Sequence, residues 1–136
     1  MQQQLILLRG AQGSGKTTFG QLLCSLLPSA HCFSADDYFV DLKGQYVFDA
    51  NKLPEAHKQC LSNAHYAILL GTEVVIVANT FSVEWEMKPY FDLAAANDCK
   101  ISCLIVENRH GGTNVHGCPL DVVERTKRKI MANIQL

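Results

Sequence analysis

Eight consecutive residues, Gly10-Ala11-Gln12-Gly13-Ser14-Gly15-Lys16-Thr17, satisfy the pattern G-x-x-x-x-G-K-[ST] in full. Glycines at these spacings let a backbone curl until successive N–H groups face one anion without interference from Cβ atoms. A helix starting near Lys16 adds unsatisfied amides and the positive end of its dipole. In that arrangement Lys16 reaches the β- and γ-phosphates of a nucleoside triphosphate, and the Thr17 hydroxyl ligates magnesium. The expected nucleotide-binding set is Gly10, Ala11, Gln12, Gly13, Ser14, Gly15, Lys16, Thr17 and Thr18, with ATP and Mg2+ as cofactors.

A second constellation is FSADDYF, in which Asp36 and Asp37 follow an expected strand directly. Phosphoryl transfer to an alcohol needs a carboxylate that orients the hydroxyl and takes its proton. An aspartate of ordinary pKa, about 3.9, serves when the proton leaves late. Adjacent aspartates also cap turns and helices, and their spacing leaves the two roles open.

These residues must be positioned by alternating elements. Strands are expected at QLILL (residues 4–8), AHCFS (30–34), EVVIVANT (73–80) and KISCLIVEN (100–108). Helical spacing recurs from Lys16 to about Leu27, on a face of Phe19, Leu22, Leu23, Leu26 and Leu27. It recurs from Leu53 to Ile68, across residues 83–96, and after Pro119 on a face of Leu120, Val123, Ile130, Met131 and Ile134. Such alternation implies right-handed βαβ units around a mostly parallel sheet, with ligands beyond the carboxyl ends of the strands. Residues 41–55 and 109–118 read as loops.

The 136 residues bound the answer to one domain, 1–136. They are 48% apolar and 18% charged with a net charge of −1, so bulk electrostatic grip on long nucleic acid is not expected. No run is long enough to span a membrane, and no basic leader precedes the first strand. The six cysteines include no CxxC pair and are expected to be reduced, buried and apolar in a cytoplasmic chain.

Taken together, LLRGAQGSGKTTFG, FSADDYF, EAHKQC, VIVANTFSVEWEMKPY and NVHGCPLDVVERTKRKI resemble the polynucleotide-kinase-like branch of P-loop kinases. That branch includes the kinase domain of phage polynucleotide 5′-kinase and small AAA-type ATP-binding proteins of bacteria and phages. The resemblance implies a three-layer α/β sandwich with strand order 2-3-1-4 and a C-terminal lid loop and helix. It assigns Asp36 as general base and, with Thr17, as a magnesium ligand. It also implies an arginine over the phosphates. Thr113 stands nearest that position, which leaves Arg109, His110 and His116 as candidates; Arg109 is assigned the catalytic role with Lys16. Two further departures are Phe39, where phage enzymes carry an arginine for the acceptor's phosphate, and Ala78-Asn79-Thr80, where relatives carry a third-strand acid.

The expected activity is transfer of the ATP γ-phosphate to an alcohol, with a nucleic-acid 5′-hydroxyl among the acceptors. A nucleotide-binding partner or regulatory module and a small-metabolite kinase stay open beside it. His57-x-x-Cys60 fits no common zinc spacing and reads as packing with a hydrogen bond. The cations Arg125, Lys127, Arg128 and Lys129 read as a solvated helix face. Trp85 and Tyr90 either pack or line a groove.

Overall fold

The run VVIVAN offers water no polar face, and it folds as the strand with neighbours on both sides. In the computed structural model, which describes residues 2–112 and 116–135, this is β3 (Val74–Asn79). It pairs in parallel with β2 (Ala30–Phe33) and with β1 (Gln4–Arg9), and β1 pairs in parallel with β4 (Lys100–Ile105). The order is therefore β2-β3-β1-β4, as expected. Leu7 stands opposite Val77 on one side and Cys103 on the other.

Alternate residues feed two cores. Leu5, Leu7, Val75 and Val77 pack beneath α2 (Leu53–Leu69) and α3 (Glu84–Ala96), while Leu8, Ile76 and Ala78 face Phe19 and Leu23 of α1 (Lys16–Leu26). Each fully buried Leu, Ile or Val contributes roughly 1.5–3 kcal/mol by leaving water. Strand parity thus fixes two faces, and all four strands deliver their carboxyl ends to one edge.

Two predicted helix faces need correction. On α1, Leu22 and Leu26 are exposed and the buried residue is Gly20, where a Cβ would lie 2.8 Å from Cys32 Sγ. The helix comes closest to the sheet through a residue with no side chain. On α4 (Leu120–Ala132) burial follows Val123, Thr126 and Ile130, while Leu120 and Met131 are each 74% exposed and Ile134 is also exposed. At about 100° per residue, Leu120 and Met131 lie roughly 60–80° round from Val123, outside that narrow stripe. The cysteines are all free; Cys60 and Cys99 are buried, whereas Cys103, on the edge strand, is exposed. No helix among the described residues is long and apolar enough to cross a membrane.

Candidate active site

β1 ends at Arg9, and the chain turns at once into the glycine loop. Gly13 (φ 79°) and Gly15 (φ 97°) adopt the left-handed region that side chains resist. Gly10 is needed for a different reason: a Cβ there would run into Ser14 Oγ and lie 2.7 Å from the Val106 carbonyl oxygen. No side chain caps the first turn of α1. Ser14 Oγ and Gln12 Oε1 are buried without a hydrogen-bond partner among the described residues. Lys16 Nζ folds back to donate to the Ala11 carbonyl, 3.1 Å away. Burial lowers the Lys16 pKa to about 8, against the opposing pull of the Asp36 carboxylate. Uncapped amides, orphaned polar atoms and a desolvated ammonium in one loop fit a polyphosphate.

The two aspartates separate cleanly. Ser34 caps a 3-10 turn, Ala35–Phe39, and Asp37 closes its capping box by accepting from the Ser34 N–H at 3.0 Å. Asp36 takes no part in that box through its side chain. Its Oδ1 accepts from the Tyr46 hydroxyl at 3.1 Å, and its Oδ2 lies 3.9 Å from His116 Nε2. Burial, then the Asp36 charge, pushes the Tyr46 pKa well up, so this hydroxyl stays a donor. Asp37 completes the capping box, and Asp36 is the carboxylate presented to the phosphate-loop side.

Asn79 supplies the support. Its Oδ1 accepts from the Ala35 N–H at 2.8 Å and from Ser34 Oγ at 3.5 Å, while its Nδ2 donates to Cys60 Sγ at 3.7 Å. The buried end of β3 therefore holds the turn that carries Asp36, and Cys60 is a hydrogen-bond acceptor. Asn79→Ala should strand the Ala35 amide and destabilise the fold by about 1–3 kcal/mol. Urea unfolding reads this, and an unchanged midpoint would show that the strut carries no weight.

The loop after β4 departs from expectation. Arg109 pairs with the Glu107 carboxylate, its side chain is 87% exposed, and it makes no hydrogen bond to the phosphate loop. His110 reaches that loop instead. Its Nδ1 accepts from the Gly112 N–H at 2.9 Å and its Nε2 stands 3.0 Å from the Ser14 carbonyl, a pairing that suits the neutral ring protonated at Nε2. A groove of about 410 Å³ opens beside the phosphate loop, between Thr18, Phe19, Leu22, Val106 and His110. Thr113 lies outside the described residues.

Other candidates resolve plainly. His57 is exposed, and no group of three metal-ligating side chains occurs among the described residues. Tyr90 is buried against Phe81 whereas Trp85 is exposed. Arg125 and Lys127 pair with Asp121 and Glu124 on the solvent side of α4. Sequence reasoning missed Tyr46, which is ten residues from its partner, and Arg9, a charge on the inward side of a buried strand. Arg9 Nε donates to the Phe81 carbonyl at 3.0 Å, and another guanidinium nitrogen donates to the Asn133 carbonyl at 3.3 Å. Inward parity with Leu5 and Leu7 was the available signal for Arg9.

A family model described as an AAA domain matches residues 5–111, a span that holds the phosphate loop, Asp36, Asn79 and His110. The chain belongs to this AAA domain family. The AAA domain is 40% identical over 97 residues to NEDD4-binding protein 2 of Homo sapiens, matching 71% of this chain and 5% of that protein. It thus spans a small part of that relative's length. Among solved structures it is similar to the Pnkp1/Rnl/Hen1 RNA repair complex, at 18% identity and a TM-score of 0.76, over 96% of this chain and 44% of the other. It is also similar to the APS kinase CysC of Mycobacterium tuberculosis, at 15% identity and a TM-score of 0.58, over 96% of each chain. These likenesses show a P-loop kinase-like fold, and the resemblance to polynucleotide-kinase-like P-loop kinases read from the motifs is borne out.

Proposed function

We propose that this AAA domain is an ATP-dependent phosphotransferase whose acceptor is an alcohol, with a nucleic-acid 5′-hydroxyl as the favoured one. The observation that carries the reading is the Asp36 carboxylate, held by Tyr46 and electrostatically felt by Lys16 at the mouth of the phosphate loop. The loop amides and Lys16 would hold the β- and γ-phosphates, and the groove beside Phe19 and His110 has room for the nucleobase. Asp36 would orient the acceptor hydroxyl. Its oxygen bonds to the γ-phosphorus, the bond from that phosphorus to the β,γ-bridging oxygen breaks, and ADP leaves as Asp36 takes the hydroxyl proton.

Thr17 and Asp36 offer one hydroxyl and one carboxylate, a donor set that suits Mg2+, which keeps several waters and phosphate oxygens. When bound, the ion would offset charge on the transferred phosphoryl group. Arg109 would become available to the phosphates once its pair with Glu107 opens, while His110 keeps its loop against Ser14.

Transfer of labelled γ-phosphate to a 5′-hydroxyl oligonucleotide and to pooled metabolites tests the reading, with Asp36→Asn beside the parent. The oligonucleotide should be labelled by the parent alone. Label on a metabolite only would replace the acceptor. ATP binding with no labelled product would favour the nucleotide-binding module, a reading that the uncharged Ala78-Asn79-Thr80 at the end of the third strand supports.

A further inference from the structure

We infer that the aromatic strap after Asp36 is a stacking surface for the terminal base of a single-stranded nucleic acid, an inference that rests on the phosphotransferase reading above. The strap is stiff for its length. An antiparallel bridge joins Val40 to Tyr46, the Val47 N–H donates to the Phe39 carbonyl at 2.8 Å, and Asp41 Oδ1 accepts from the N–H groups of Lys43 and Gln45 at 2.8 and 2.9 Å. Phe39, buried in the main core, anchors it from beneath. Its ring meets Tyr38, Tyr46 and Phe48 at centroid distances of 5.4, 6.1 and 5.1 Å and steep angles.

Above that anchor the rings lie nearly parallel. Tyr46 stacks on His116 at 3.8 Å and 24°, and Phe48 lies 6.4 Å from Tyr46 at 13°. Phe48 is nevertheless 51% exposed and its neighbour Val47 60% exposed. Ordered rings with open surface, beside the carboxylate assigned to the acceptor's proton, suit a flat aromatic ligand carried by the acceptor itself. Charge points the same way. Asp36, Asp37, Asp41 and Asp49 outnumber Lys43 and Lys52 along this stretch. A site so poor in cations cannot hold its acceptor mainly through the phosphate backbone, so base stacking is left to carry the affinity. Residue types on the strap, rather than sequence-reading contacts, also imply tolerance of all four bases.

The test uses the whole chain and oligonucleotides with 2-aminopurine at the 5′ end. Binding without ATP should quench the probe, and Phe48→Ala should weaken that binding at least tenfold, with Phe48→Trp restoring it and Phe48→Leu failing to. In turnover, Phe48→Ala should raise KM for the oligonucleotide at least tenfold while leaving kcat and KM for ATP in place. Removing the 5′-terminal base should do the same to the parent, and salt should change KM little. Quenching without phosphate transfer would overturn the phosphotransferase reading and keep the stacking surface. Transfer that ignores Phe48 and the missing base, a Phe48→Leu variant equal to the parent, or steep salt dependence would each overturn the stacking surface alone.

Discussion

Lys16→Met is expected to weaken MgATP binding at least a hundredfold, about 2.7 kcal/mol, as read by titration calorimetry. The side chain is largely buried and, among the described residues, hydrogen-bonds the Ala11 carbonyl, so its charge is held ready for an anionic partner. The same desolvation sets a pH signature. With its pKa lowered to about 8, Lys16 is neutral in the folded, nucleotide-free chain above that pH, whereas the unfolded chain keeps it charged to about 10.5. Between these values the unfolded state binds more protons, so stability rises with pH, and Lys16→Met should remove that slope. At neutral pH the substitution should raise the unfolding midpoint of the nucleotide-free protein even as it removes binding. ATP affinity should fall as pH climbs through 8, with proton uptake on binding, because the phosphates favour the charged form. An affinity that grows from pH 8 to 9.5 would exclude this role.

Asp36→Asn should lower kcat by about 10²–10⁴ while leaving the ATP dissociation constant within a few-fold, in single-turnover assays beside calorimetry. The amide still accepts from Tyr46, so the local geometry is kept, while the proton acceptor, its negative charge and the carboxylate offered to Mg2+ are lost. Because the Asp36 charge raises the Lys16 pKa, the alkaline fall in ATP affinity should also begin at lower pH in this variant. Asp37→Asn separates chemistry from scaffolding. It removes the carboxylate of the capping box at the Ser34 turn and should cost about 0.5–2 kcal/mol of stability with kcat little changed. Equal losses of rate in the two variants would mean that neither aspartate is the base.

Much of the architecture was legible because the elements that matter are written locally. β3 is a run of β-branched residues, and the glycine loop sits where a strand must become a helix, so the elements and a parallel sheet followed, whereas the strand order came from the resemblance to P-loop kinases. The helix faces were legible only in part. Spacing says which residues of α1 share a side, but not that Gly20 would let the helix settle against Cys32 and leave Leu22 and Leu26 outside. The site shows the same divide. Gly10 to Thr18 are contiguous and could be read in order, whereas Asp36 and Asp37 look alike until the turn assigns one to the backbone and the other to Tyr46. Contacts such as Asn79 with Ala35, 44 residues apart, arise only when β2 and β3 are laid side by side.

Arg9 makes the two extremities of the fold answer to one another. Its guanidinium grips the carbonyl of Asn133 just past the last turn of α4, from a position one residue ahead of Gly10. The same group grips Phe81, whose backbone holds the left-handed conformation at φ 45°. One of its nitrogens is already buried with no partner among the described residues, so loss of the α4 tether would leave a cation still less compensated inside the sheet's edge. Fraying at the tail should therefore be felt as slack in the cradle at the opposite end of the sequence, and amide exchange in residues 10–15 should quicken in step with that of the final helix.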